Sequence, residues 1–286
     1  REDPHAIASR KLFETLYPNH VYGRPTDGTI ATVTGLTIED LQAFVKQRLA
    51  KDNLIIGVVG DITPEQLGKR LDATFGKLPD EAAPWKIKKV DPVSKGQVIV
   101  IDRDTPQSSI LFASKGVMRD DDDFYATYVL NHMLGGGSFT SRLYTEIREK
   151  RGLVYSVGTR LYPFDNSALI LGSAGTANKR AYKTLSVIKS EWDKMAKGGV
   201  GQSELDDAKT YLTGSFPLRF SSSSQVASIL VGMQTAKLPI NYLQTRNSLI
   251  EAITRKDISS VAEKILKSEN LVTIVIGRPD GIKSTN

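Results

Sequence analysis

Arg148 and Tyr155 are the residues of this 286-residue chain whose types and spacing offer the clearest chemistry. They stand seven apart in the segment IREKRGLVYSV. A guanidinium carries several N–H donors and a phenol one O–H, and two donors aimed at one point suit a carbonyl oxygen or the oxyanion that develops when a carbonyl is attacked. Upstream, Phe139, Leu143 and Ile147 fall at i, i+4 and i+8, which predicts a core-facing stripe on a helix over 138–150. That stripe leaves Tyr144 and Arg148 together on a neighbouring face. Gly152 stops the helix and Tyr155 falls in the following strand, so a helix-end arginine and a strand tyrosine converge across one turn. The same residues also have a purely structural use. Arg148 and Arg151 in a last helical turn complement the helix dipole, and Tyr155 can fill the core side of a strand.

Metal chemistry has little to work with. The chain holds three histidines, His5, His20 and His132, and no cysteine, and neither HxxEH nor HxxxH occurs. A catalytic zinc takes three protein ligands, so the chain is expected to bind no such metal by itself. His132 ends the run Tyr128-Val-Leu-Asn131-His132, and Gly135, Gly136, Gly137 and Ser138 follow it closely. This is not GxGxxG after a strand, which argues against a dinucleotide site and for a flexible or closely packed connection.

The elements that must position these residues read as follows. Asp3 to Tyr17 is an amphipathic helix ended by Pro18, and Asn19 to Gly35 is a punctuated surface connection. A helix, a strand over 54–59 and a helix over 63–78 come next. The charged, proline-containing stretch that follows reads as a linker, residues 81–96. Strands are expected at 98–102 and 109–114, then an acidic cluster, Asp120 to Asp123, capping a helix over 124–134. An antiparallel pair over 154–162 and 168–174 and four helical stretches, 179–197, 203–212, 225–235 and 242–252, lead to a last helix and strand. Strands at both ends with helices between them predict an α+β fold, a mostly antiparallel sheet covered on one face.

One pattern organises the whole. Thr37 to Asp61 lies over Thr254 to Arg278 without a gap, about 217 residues on, matching Asp40 with Asp257, Asn53 with Asn270 and Gly60 with Gly277. In both copies an acidic first turn opens a helix, an apolar stripe follows, and a β-rich run after Asn closes the unit. A duplicated domain is therefore expected. If the second copy begins near Gln97, the first would begin about 120 residues before Arg1, so the chain reads as truncated at its front.

Composition narrows the classes. With 40% hydrophobic and 24% charged residues the chain is globular in type, and no apolar run reaches the roughly 18 residues of a membrane helix. The net charge of +6 is spread along the chain rather than gathered into a basic face interleaved with aromatics, so a nucleic-acid module is not indicated.

The segment from Leu134 to Val157 resembles the second half of the pitrilysin-type (M16) zinc metallopeptidases, and the likeness extends over nearly the whole chain, including REDPHAIASRKLF and HVYGRPTDGT near its front. Arg148 and Tyr155 match the arginine and tyrosine with which that family contacts the substrate backbone beside its zinc. The resemblance implies tandem M16-like domains of α+β type: residues 1–80 as the end of a first, incomplete copy, 81–96 as linker and 97–286 as the second. It also implies that Tyr128, Asn131 and His132 occupy the His, Glu and His places of HxxEH, a degenerate site. Gly135, Gly136, Gly137 and Ser138 correspond to a loop that some members use in substrate handling. LTGSFPLRF and ILVGMQTAKLP resemble bacterial two-subunit members. The implied role is that of the noncatalytic subunit of a zinc-dependent peptidase, periplasmic and heterodimeric. It would bind a peptide and stabilise its transition state, with zinc held by an HxxEH-bearing partner or by residues preceding Arg1. The alternative is a structural or binding subunit of the same fold with no peptidase role.

Overall fold

The computed structural model describes residues 3–285. The chain divides into two compact units: one holds the residues up to Arg24, Lys88–Thr213 and those from Asn247 onward, the other Pro25–Ile87 and Gly214–Arg246.

The first unit is built on a five-stranded sheet of order β1-β5-β2-β4-β3, with β1 Gln97–Asp102, β2 Gln107–Lys115, β3 Val154–Pro163, β4 Ala168–Ala177 and β5 Val272–Gly277. Only β1 and β5 run parallel; the other pairs are antiparallel. Side chains alternate across the pleat, so neighbours along a strand serve opposite faces. On one face Ile110, Phe112, Ile170, Ala174 and Val275 join α5 (Phe124–Asn131), α6 (Ala181–Ala196) and α10 (Arg255–Ile265) in the larger core. On the other, Leu111, Ala113, Leu169, Val272, Ile274 and Ile276 pack with Ala8, Leu12, Leu16 and Tyr17 of α1 (Pro4–Leu16) and its end. The expectation of a sheet covered on one face is thereby corrected. β5 is buried at every position and needs a cover on each side, and α1 supplies the second.

Within the second unit, α2 (Ile30–Thr34) lies in the stretch expected to be irregular; a Thr29–Thr32 capping box stabilises it. α3 (Ile38–Arg48) and α4 (Pro64–Phe75) follow, and α8 (Ser223–Thr235) comes from the later segment. α7 (Gln202–Gly214) belongs to the first unit but for its last residue, and α9 (Tyr242–Glu251) is divided between the two units at Arg246. Residues 54–59, expected as a strand, make no sheet ladder among the described residues. No strand pairs with them among the described residues, whereas the equivalent β5 lies between β1 and β2.

The sequence repeat is a repeat of local structure. α3 and α10 each open on a reciprocal capping box, Thr37 with Asp40 and Thr254 with Asp257, and each is followed by a 3₁₀ turn, Lys51–Asn53 and Ser268–Asn270. Burial separates the copies. Leu41, Phe44 and Val45 are 55%, 60% and 50% exposed, while their counterparts Ile258, Val261 and Ala262 are fully buried. The Asp120–Asp123 cluster does not cap α5 as expected: Asp123 makes no side-chain cap, Asp121 Oδ1 accepts from the Asp123 N–H at 2.9 Å, and the Asp123 carboxylate pairs with Lys264 of α10.

Thr254→Ala should destabilise the first unit by about 1 kcal/mol, the usual worth of an N-cap hydroxyl. Both Thr254 bonds hold the Asp257 carboxyl below its ordinary range, side chain first and backbone second. A depressed folded-state pKa gives stability that is present above the unfolded value near 4 and lost as pH falls through the folded value. The difference between wild type and Thr254→Ala should therefore shrink between pH 7 and pH 3. Urea unfolding at the two pH values checks it.

Candidate active-site face around Arg148 and Tyr155

Two π-helical turns shape this face. α5 does not continue to residue 134 as an α-helix; it passes into a π turn, His132–Gly136. The glycines are closely packed rather than a free loop. A Cβ on Gly135 would lie 2.6 Å from Thr159 Oγ1 and 2.8 Å from the Thr159 backbone nitrogen on β3, and one on Gly136 would meet Asn131 Nδ2 at 2.6 Å. Gly137 and Ser138 then turn the chain, with Ser138 in the left-handed region at φ 49°, a local cost of about 1 kcal/mol or more for a non-glycine residue.

The helix expected over 138–150 is three pieces: a 3₁₀ turn at Ser138–Thr140, a short α-helical step at Arg142 and Leu143, and a π turn at Tyr144–Glu149. The change of pitch moves the faces. Leu143 and Ile147 are buried as predicted, but Phe139 is 69% exposed and Tyr144 takes a buried place. Phe139 packs edge-on against Tyr144 at 5.0 Å between centroids.

Arg148 lies against the same tyrosine, its guanidinium carbon 4.9 Å from the Tyr144 ring centre and 5.4 Å from that of Tyr155. The structure thus brings Arg148 and Tyr155 together. Three other arginines nearby are committed: Arg142 pairs with Glu204 at 2.5 Å, Arg151 donates to the backbone oxygen and carboxylate of Glu146 at 2.6 Å each, and Arg180 donates to Gly152 O at 2.6 Å. Glu146 is further held by Lys150, and these two cations keep its carboxyl below the usual range, Lys150 first. The Arg148 side chain makes no hydrogen bond or ion pair among the described residues. Its N–H donors are free while its guanidinium lies against two aromatic rings, a contact worth about 0.5–1 kcal/mol at an exposed site.

Tyr155 owes its position to an irregularity that the sequence does not announce. β3 and β4 pair Val154 with Thr176 and then Ser156 with Gly175, so Tyr155 is the extra residue of a β-bulge. Bulges re-aim a side chain at a sheet edge. Tyr155 is accordingly 83% exposed, not a core aromatic. The turn before it is fixed by Gly152 at φ 58°, by the Gly152 N–H donating to Arg148 O at 2.9 Å and by Thr176 donating to Leu153 O at 2.7 Å.

The residues in the HxxEH places do not fit zinc. Tyr128 and Asn131 stand before His132 in place of a histidine and a glutamate, and among the described residues no group of three or more His, Asp or Glu stands where it could hold a metal. Asn131 Oδ1 is buried without a partner, and burial lowers the pKa of His132, which favours its neutral form. The dialysed chain alone is expected to carry no stoichiometric zinc and to cleave no peptide. One tightly held zinc per chain, with activity lost to a chelator and restored by zinc, would contradict this.

An α+β unit with a mixed five-stranded sheet and a basic-aromatic face at its bulged edge strand defines the class of protein. Residues 35–212 match the family described as the Peptidase M16 inactive domain, and the chain belongs to that family. The chain is 26% identical over 283 residues to an uncharacterized zinc protease of Streptomyces coelicolor, covering 96% of this chain and 61% of that protein. It is 27% identical over 271 residues to the non-peptidase homolog YmxG of Helicobacter pylori, covering 94% and 62%. The crystal structure of a peptidase M16 inactive domain from Pseudomonas fluorescens superposes with a TM-score of 0.87 at 29% identity, over 97% of this chain and 66% of that one. The chain therefore spans about three-fifths to two-thirds of the length of these relatives.

Proposed function

We propose that this chain is the peptide-binding, noncatalytic component of a zinc-dependent M16-type peptidase. The observation that carries the reading is Arg148: a guanidinium resting against Tyr144 and Tyr155 with no hydrogen-bond or ion-pair partner among the described residues, beside a phenol that a bulge directs outward. Such donors are complementary to a peptide carbonyl and more so to the oxyanion formed from it. Arg148 and Tyr155 hold and polarise the scissile carbonyl, and Gly135, Gly136, Gly137 and Ser138 form a rigid turn beside the bound chain. The hydrolytic step, and the zinc it requires, belong to an HxxEH-bearing M16-like subunit or segment. In this reading residues 1–80 close one copy of the domain and 97–286 form a second, joined by 81–96; the matched local structure of α3 and α10 supports it. Assembly as a heterodimer in the periplasm belongs to the same proposal and rests on resemblance to two-subunit members.

A second reading has its own support in the family's description as an inactive domain and in the name of the Helicobacter pylori relative, a non-peptidase homolog. Here the same donors bind polypeptide without hydrolysis. Reconstitution separates the two. If the first is right, an HxxEH-bearing partner cleaves peptide only when this chain is added. Full activity of the partner alone, unchanged by the chain, would leave the second.

A further inference from the structure

A different cavity of the first unit carries a second set of unused groups. It measures about 710 Å³, within the range of ligand sites, and its wall includes His132, Met133, Glu204, Asp207, Ala208 and Tyr211. His132 is 8% exposed and neither ring nitrogen makes a hydrogen bond among the described residues, so a nine-tenths buried polar group faces the cavity without a partner. The ring nitrogens keep some access to the cavity, so a donor group entering it can reach them. Tyr211 of α7 lies parallel to the His132 ring, 5.1 Å away at an interplanar angle of 22°, and is 58% exposed. Its outer surface is open.

Charge selects the ligand. Glu204 is neutralised by Arg142, which donates to both of its carboxylate oxygens and also to Gly199 O. Asp207, three residues on along α7, has no hydrogen bond or ion pair among the described residues. The cavity therefore presents one uncompensated carboxylate, an aromatic face and an imidazole whose neutral form burial favours, and its wall includes no lysine or arginine among the described residues. A metal is disfavoured because no three ligands converge.

From this arrangement we propose that the cavity beside His132 and Tyr211 binds a guanidinium group, stacked on Tyr211 and bonded to Asp207, with the His132 ring as a further acceptor. A planar cation of this kind uses an aromatic face and a carboxylate at once. The site is built without Arg148 or Tyr155 and stands or falls separately from the peptide-holding reading.

The probe is arginine amide, titrated into the complete chain while the imidazole signals of His132 are followed by NMR, identified by their loss in His132→Gln. A saturable shift is expected. Citrulline amide, which has the same shape without the charge, should give none over the same concentrations. Asp207→Asn, a change at an exposed position, should weaken binding about tenfold, while Arg148→Ala should leave it unchanged. An alanine pentapeptide with a central arginine that displaces the amide assigns the site to a polypeptide side chain; failure to displace it assigns a free guanidinium compound. No saturable shift with arginine amide, an equal response to citrulline amide, or undiminished binding by Asp207→Asn would overturn the proposal.

Discussion

With an HxxEH-bearing partner and a peptide substrate, Arg148→Ala and Tyr155→Phe should each lower turnover by about a hundredfold or more, roughly 2.7–4 kcal/mol of transition-state stabilisation. The size follows from when the interaction is made. Donors that meet the carbonyl mainly as it becomes an oxyanion act on turnover rather than on ground-state binding, so KM should change less than kcat. Stability should barely move. Tyr155 is 83% exposed, its hydroxyl makes no hydrogen bond among the described residues, and Arg148 gives up only its contacts with two tyrosine rings. Were these residues merely structural, the pattern would reverse, with a lower melting temperature and near-normal turnover.

The second large effect lies in the core that holds the sheet to its helices. Trp192 of α6 is fully buried and meets Phe112 of β2 edge-on, 5.8 Å between centroids and 83° between planes. Trp192→Ala should cost about 3–5 kcal/mol, because the emptied space is walled by a packed sheet on one side and helix on the other. Trp192→Phe should cost far less. The indole Nε1–H is buried with no acceptor, a penalty of about 1–3 kcal/mol that phenylalanine does not incur, and this offsets much of the lost contact. Urea unfolding of the two variants checks the pair: a Phe variant as unstable as the Ala variant would mean that the indole has a partner. Because Phe112 lies on the strand between β4 and β5, this packing also bears on how β3 and its bulge are presented.

Local signals were legible in the sequence and long-range ones were not. The repeat could be read because Thr-x-x-Asp at the start of α3 and α10 is a self-contained device, and an asparagine after each helix closes the same 3₁₀ turn. The nearness of Arg148 and Tyr155 could be read from a glycine stop followed by a β-rich run. Phe139 was misplaced because the i, i+4, i+8 rule assumes an even α pitch, and a 3₁₀ turn before Ser141 with a π turn after Leu143 breaks that assumption without a distinctive residue pattern. The amphipathic face of α1 was evident, but which sheet it would cover was not, since hydrophobicity names no partner. Neither the bulge at Tyr155 nor the His132–Tyr211 stack left a mark, one depending on the register with β4 and the other on two segments distant in the chain.

The central claim is that Arg148 and Tyr155 act on one oxygen, and a double-mutant cycle on turnover in the reconstituted peptidase tests it most directly. Two donors sharing an oxyanion should be coupled: Arg148→Ala/Tyr155→Phe should be little worse than the poorer single variant, with the two free-energy losses failing to add by well over 0.5 kcal/mol, a threshold of about that size marking independence. Losses that add within that margin, or single variants that turn over like wild type, would contradict it.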